Sequence, residues 1–183
     1  MNKRYLQLGA IMATLAVFFG IFAYVRIKNS PDVPYVPTSP KIVNAMLELA
    51  QVGETDIVYD LGSGDGRIVI AAVKDFGAQR GAGVDIDAKL VGEATESARK
   101  AGVAEKTRFI EGNLFEQDFS EATVVTMYLL PEINLRLRPK ILALKPGTRV
   151  VSHRFDMGDW QPEKTVEVEG RKIYLWRVPP AND

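Results

Sequence analysis

The sequence predicts an α/β fold built on a doubly wound, mostly parallel sheet that finishes in an antiparallel hairpin. Three observations carry this expectation. From Asp56 onward, short runs rich in valine and isoleucine alternate with helix-like runs. The strand-like runs are mostly continuous rather than alternating, the pattern of strands covered on both faces. The rhythm then breaks after Phe155, where two strand-like runs follow each other with Gly170 between them.

The strand-like runs are IVYDL (57–61), GAGVDI (81–86), TRFIEG (107–112), ATVVTMYL (122–129) and RVVSHRF (149–155). Between them lie RIVIAAVKDF, AKLVGEATESARKA and a stretch starting near Pro131, which Pro139 is expected to interrupt. Strand–helix alternation implies right-handed crossovers, a parallel sheet and helices on both faces. TVEVEG (165–170) and RKIYLWRV (171–178) read as the terminal hairpin. Ahead of the first strand, Thr38 or Ser39 is expected to cap a helix with Pro40 at its first position. Ile42, Val43, Met46, Leu47 and Leu49 follow at helical spacing, and Gly53 is expected to end the helix.

Three segments are expected: a membrane anchor over 1–28, a proline-rich linker over 29–40 and the α/β domain over 41–183. Residues 5–25, YLQLGAIMATLAVFFGIFAYV, carry no charge. About 20 such residues cross the hydrocarbon layer as a helix. Lys3 and Arg4 flank one end and Arg26 and Lys28 the other, and Tyr5 and Tyr24 stand where aromatic rings favour the interface. A cleaved signal peptide is the competing reading, but it has a shorter apolar stretch and a small-x-small site. The flanking charges are nearly balanced, so they do not orient the span. The linker, NSPDVPYVPTSP, contains four prolines and reads as extended.

Composition excludes several chemistries. Lys+Arg and Asp+Glu both total 23, for a formal net charge of zero. That argues against a nucleic-acid partner bound by phosphate neutralisation. There is no cysteine, hence no disulfide and no thiolate nucleophile. With one histidine, His153, no metal site is expected.

The main chemical signal is Asp60-Leu61-Gly62-Ser63-Gly64-Asp65-Gly66-Arg67, which follows a strand and opens a helix. Glycines let a ligand approach the backbone, and open α/β sheets bind ligands at the C-terminal ends of their strands. Free N–H groups at the helix start favour polar groups. A dinucleotide site favours G-x-G-x-x-G. Here the spacing is G-x-G-x-G after Asp60, and a carboxylate there suits S-adenosylmethionine, which carries a sulfonium and an ammonium. A plain tight turn remains the other reading. Asp85 ends the second strand at the distance where an acid accepts from ribose hydroxyls; a solvated strand-end carboxylate is its alternative. Asp87 reads as a helix cap. Asn113 can pair with an adenine edge and Leu114 can pack on its face, or the pair is an ordinary turn.

Asp60 to Gly66, Val84-Asp85 and Glu111 to Leu114 resemble the three cofactor motifs of the seven-strand, class I methyltransferases. The resemblance implies a Rossmann-like methyltransferase sheet and S-adenosyl-L-methionine as cofactor. An N-terminal anchor, PYVPTSP, DLGSGDGR and MYLLPE together resemble the membrane-anchored protein lysine methyltransferases of the ATP synthase c subunit and adenine nucleotide translocase type. That resemblance spans residues 34 to about 157. It implies cofactor contacts from Tyr35 and Thr38 beside the glycine loop, and a membrane-associated protein as partner. It also implies a domain on the cytosolic or matrix side, where the cofactor is found. Two departures stand out. Asn113 occupies a position where an acid is common, and residues 155–165 leave too little room for the usual fifth crossover helix.

Tyr128 follows the fourth strand, where the catalytic loop of this fold lies. It is the expected catalytic residue, accepting a hydrogen bond from an amine; a packing aromatic is the alternative. His153 reads first as a satisfied structural histidine and second as a pocket residue. Trp160 lines the acceptor side or packs in the core. Arg136, Arg138 and Lys140 read as a solvated helix face. The expected function is therefore S-adenosylmethionine-dependent protein-lysine N-methylation at a membrane. The alternatives are a small-molecule or lipid acceptor, an NAD-dependent oxidoreductase and a catalytically silent membrane module.

Overall fold

The structure is a computed structural model, and it describes residues 35–180. These belong to one compact unit, Asp32–Asp183. The expected anchor over residues 5–25 and the first half of the linker, 29–34, lie outside the described residues. Among the described residues no helix is long and apolar enough to cross a membrane.

Seven strands form one sheet in the order β3-β2-β1-β4-β5-β7-β6. They are β1 (Ile57–Leu61), β2 (Arg80–Asp85), β3 (Thr107–Glu111), β4 (Val124–Met127), β5 (Arg149–His153), β6 (Lys164–Val168) and β7 (Arg171–Arg177). β1 to β5 pair in parallel, and β7 joins β5 antiparallel with β6 outside it. The expected topology is thus observed. The hairpin turns on Glu169 and Gly170, both at positive φ (53° and 68°), as a two-residue turn between twisted strands requires.

Among the described residues four α-helices accompany the sheet: α1 (Pro40–Leu49), α2 (Arg67–Lys74), α3 (Ala88–Lys100) and α4 (Pro131–Leu142). α1 begins as the sequence predicts, with Ser39 accepting from the Ile42 N–H and Pro40 at the first position. It stops at Leu49, earlier than the Gly53 expectation. Gln51, not Gly53, takes the left-handed conformation, and Arg149 donates to the Ala50 and Gln51 carbonyls at the frayed end. α4 continues past Pro139 to Leu142. The carbonyl four residues back belongs to exposed Leu135, so water is at hand to replace the lost partner.

The two-residue period of the strands divides the core. Val58, Val124, Val151 and Ile173 face one side, where they meet Ile42, Met46 and Leu47 of α1 and Ile68 and Ala72 of α2. Tyr59, Leu61, Val125, Met127, Val150 and Trp176 face the other, against Ile133, Leu137 and Ile141 of α4. β5 and β6 are joined by a loop in place of a helix, as expected, and it carries Met157 and Trp160 onto the second face. Trp160 packs on Trp176 with ring centroids 5.9 Å apart, so its role is core packing.

The edge of the sheet opposite the glycine loop is tied by a buried ion pair. Asp56 accepts from Arg149, from the Thr123 hydroxyl at 2.6 Å and from the Gly53 N–H at 2.9 Å. The two side chains are 6% and 16% exposed. Removing one partner of such a pair leaves a desolvated charge, which costs about 3–5 kcal/mol. Arg149→Met is therefore expected to lower stability by about that amount. A urea midpoint unchanged from the parent would show that Thr123 and the Gly53 N–H suffice for Asp56.

Candidate functional site

The C-terminal ends of β1, β2, β4 and β5 lie side by side, and strand parity decides which side chains meet there. In the β1–β4 register Asp60 stands opposite Thr126, and Leu61 opposite Met127. The β4–β5 register sets Met127 opposite Ser152. One residue further on, the edge reads Gly62, Tyr128, His153 from β1 to β5. Asp60, Thr126, Tyr128 and His153 thus project to the face covered by α1 and α2.

The glycine loop runs from Leu61 into α2. Gly62 and Ser63 both donate to the Val84 carbonyl (2.9 and 3.0 Å), which ties the loop to the neighbouring strand. Each loop glycine also has a neighbour that a side chain would strike. A Cβ on Gly62 would lie 2.7 Å from Leu129, and one on Gly66 2.6 Å from the Phe109 ring and 2.8 Å from Ala94. A Cβ on Gly64 would overlap the Tyr35 ring. Gly66 at φ 78° is also the residue before α2, where no side chain but hydrogen is comfortable. The loop is therefore more than a plain turn; it is a seat packed from three sides.

Asp85, half-buried at the end of β2, accepts from the Gly64 N–H at 2.8 Å and from the Asp87 N–H at 3.0 Å. Each carboxylate oxygen retains a further lone pair. Asp87 caps α3, accepting from the Lys89 N–H at 2.9 Å, as the sequence predicts. Asp60 is 2% exposed and accepts from Thr126 at 2.7 Å. Burial first, with Asp85 and Asp65 adding repulsion, pushes its carboxyl up to about 7 against the pull of the Thr126 hydroxyl. A cationic group arriving beside it would favour the ionised form that burial disfavours.

Asp65 is turned to the protein. It holds the Arg67 guanidinium at 2.6 and 2.9 Å, and Arg67 in turn donates to the Thr38 carbonyl at 2.7 Å. Burial alone would raise the Asp65 carboxyl, but Arg67 outweighs it and holds it below the usual range. This clasp fixes the strap of residues 35–39 over the loop. Tyr35, 46% exposed, lies on Gly64, and its phenol is raised by burial and by Asp65. Thr38 is buried, with its hydroxyl 3.4 Å from His153 Nδ1. Asn113 uses its side-chain oxygen on the Phe115 N–H at 3.0 Å, and Leu114 packs against the α4-side core.

Tyr128 is half-buried, its ring centroid 4.0 Å from His153 and 6.4 Å from Phe155. His153 is 4% exposed and its Nε2 has no hydrogen-bond partner among the described residues, so it is not the satisfied histidine first expected. Burial, then Arg171 and Arg154, push its pKa down to about 4, so it is neutral near pH 7. Arg136, Arg138 and Lys140 are not a free solvated face. Arg136 stacks on Phe115, Arg138 binds Asp159 and the Met157 carbonyl, and Lys140 reaches the Phe115 and Gln117 carbonyls. No local pattern marks Thr126 or Phe109 in the sequence, since each acts through a partner placed by the fold; Arg67 closes the glycine motif, but its hold on the Thr38 carbonyl is not legible there.

The sheet order and the glycine loop define a class I S-adenosylmethionine-dependent methyltransferase. Residues 60–164 match the family described as ANTKMT methyltransferase domain, and the chain belongs to it. It is 52% identical over 153 residues to a protein-lysine N-methyltransferase of Saccharolobus islandicus, covering 81% of this chain and 95% of the relative. It is 36% identical to the adenine nucleotide translocase lysine N-methyltransferase of Mus musculus, covering 84% of this chain and 66% of that one. The Xenopus laevis lysine N-methyltransferase of the ATP synthase c subunit is 36% identical, covering 71% and 57% respectively. The crystal structure of an RNA methyltransferase from Salinibacter ruber, in complex with S-adenosyl-L-homocysteine, superposes with TM-score 0.78 at 56% identity over 81% of this chain and 97% of its own. The chain is an enzyme that uses S-adenosylmethionine, and the oxidoreductase and silent-module readings fall away.

Asp60 yields a pH test. Its folded pKa of about 7 lies above the ordinary aspartate value of about 3.9. The folded state thus binds more protons between those values, and its stability falls as pH rises through that window. Asp60→Asn is expected to remove this loss, so the variant gains on the parent between about pH 4 and pH 7. Parallel stability profiles in denaturant titrations across that window would contradict it.

Proposed function

We propose that the chain methylates the Nζ of a lysine in a membrane-associated protein. The observation that carries this reading is the 52% identity, across nearly the whole relative, to a protein-lysine N-methyltransferase. The Salinibacter protein, described as an RNA methyltransferase, points to RNA instead. The zero formal net charge disfavours that acceptor, since phosphate neutralisation supplies much of nucleic-acid affinity. A small-molecule or lipid acceptor is the other alternative, and no side-chain pattern favours it.

The residues at the strand ends fit the cofactor. Asp85 has lone pairs left for two ribose hydroxyls, and Asp60 offers a buried carboxyl to a cationic group. The loop backbone at Gly62, Gly64 and Gly66 offers close approach. Tyr35 and Thr38 cover the loop, with Asp65 acting through Arg67 to hold them. Asn113 and Leu114 border the adenine side, with the Asn113 amide nitrogen as donor. Bound there, S-adenosylmethionine supplies a methyl group on a positively charged sulfur.

The protein's part is mostly positioning, which is worth up to about 7–11 kcal/mol of a barrier. The attacking nitrogen must first lose a proton, because an ammonium has no lone pair. Its reference pKa is about 10.4, and an apolar pocket lowers it by disfavouring charge. Tyr128, His153 and Phe155 make such surroundings beside the loop. With the methyl donor bound, the nitrogen lone pair would take the methyl group, the C–S electron pair would stay on sulfur and the extra proton would pass to water. Tyr128 accepts a hydrogen bond from the amine and holds it on line.

In this reading residues 5–25 are an uncleaved span, residues 29–40 the link, and the domain from 41 onward lies on the cytosolic or matrix side. A tether raises the local concentration of membrane-borne acceptors without new contacts.

Two experiments test the proposal. The full chain in detergent, given labelled methyl donor and membranes from cells lacking it, should place label on a lysine, found by mass spectrometry. Tyr128→Phe should lower turnover with little change in S-adenosylhomocysteine affinity, the mark of an interaction made in the transition state. Label on RNA or lipid, or full activity of the variant, overturns the respective assignment. Separately, the full chain should stay with membranes through an alkaline carbonate wash. Release, or a mature N-terminus beyond residue 20, would mean a processed signal peptide.

A further inference from the structure

We propose that His153 is a second acceptor-site residue, whose Nε2 accepts a hydrogen bond from the incoming amine and holds the nitrogen beside Tyr128. This rests on the lysine reading above and extends it to a residue outside the predicted site.

The first support is the unpaired atom itself. His153 is 4% exposed and its Nε2 meets no partner among the described residues. Buried polar atoms are nearly always hydrogen-bonded, and one that is not weakens the fold. The surroundings do not call for nitrogen. Val151, two residues earlier on the same face, and Ile173, opposite in the ladder, are both buried and apolar. An aromatic or aliphatic side chain would satisfy packing there without an orphaned atom.

The second support is position. Across the strand ends the order is Gly62, Tyr128, His153, so the histidine lies on the far side of Tyr128 from the cofactor loop. The two rings are 4.0 Å apart at their centroids and tilted by 38°. Tyr128 is half-buried, so the ring that packs on the histidine itself borders solvent at the strand ends. The third support is orientation. Thr38 Oγ1 lies 3.4 Å from Nδ1. With Thr38 accepting from Nδ1–H, the ring presents Nε2 as an acceptor. In that arrangement the strap that covers the cofactor loop also orients the acceptor-side ring.

A neutral imidazole in this place orients the amine without taking its proton. Arg154 and Arg171 are the charged groups that bear on the ring, and both favour the neutral form. The proton released in transfer therefore goes to water, and His153 acts by direction rather than by basicity.

The stability and activity effects of a substitution should run in opposite directions, which separates this role from a structural one. In the full chain, His153→Phe keeps a ring against Tyr128 and removes both nitrogens. It is expected to melt at or above the parent temperature and to bind S-adenosylhomocysteine within about twofold of it. Transfer to the membrane acceptor should fall about tenfold in kcat/KM, the scale of one oriented hydrogen bond. His153→Gln, whose amide oxygen is an acceptor, should recover part of that loss. A phenylalanine variant with parental kcat/KM overturns the proposal. So does one that melts well below the parent, since the nitrogens would then be holding the fold. If the parent's label proves to lie on RNA or lipid, the lysine reading fails. The variant-to-parent ratio on that acceptor then still decides whether Nε2 serves transfer.

Discussion

The parallel register of β1 with β4 is the constraint on which the site depends. It sets Asp60 against Thr126 on the buried face under α1 and α2, with the hydroxyl donating at 2.7 Å. A buried carboxyl needs such a donor, and here it has one. Shifting the pairing by one residue would exchange the two faces of the strand. It would turn Asp60 toward the α4 side and bring Leu61 to the loop face. The same register fixes where the glycine loop departs and places Tyr128 next to Gly62.

The loop glycines serve the protein as much as the ligand. Leu129, Tyr35 and the Phe109–Ala94 pair each come too close for a side chain. The loop is thus held from the β4 end, from the strap and from β3 with α3 at once. The Asp85 carboxylate adds a fourth tie, joining Gly64 to the start of the α3 turn through two backbone N–H groups. A seat preorganised in this way needs little further ordering when a ligand arrives.

The strap is clasped from a helix, a strand and the hairpin turn. Arg67 holds the Thr38 carbonyl, His153 meets the Thr38 hydroxyl, and Glu169 in the hairpin turn accepts from Ser39 at 2.6 Å. The hairpin therefore does more than close the sheet edge. On the other face, Asn134 of α4 donates to the Phe155 and Asp156 carbonyls at 3.3 and 3.1 Å. This pins the loop that replaces the missing crossover helix, and so the Phe155 ring beside Tyr128.

Local rules made much of this legible in the sequence. Valine-rich runs, glycine spacing and the Ser39-Pro40 cap depend on neighbours within a few residues, and the strands, the loop, α1's start and the Asp87 cap follow from them. Gly53 misled because a helix end is settled by what receives its last carbonyls, and Arg149 does so from almost a hundred residues away. The same holds for the site. Asp60 and Asp85 could be named from their positions in and after strands, but Thr126 and Phe109 acquire meaning only when the sheet brings them alongside. Asp65 read as a ligand contact because it sits in the motif, yet its carboxylate is claimed by Arg67 two residues on. His153 shows the limit most clearly: sequence determines that it ends a strand, but only the folded sheet leaves one nitrogen of its ring, among the described residues, buried without a partner beside Tyr128.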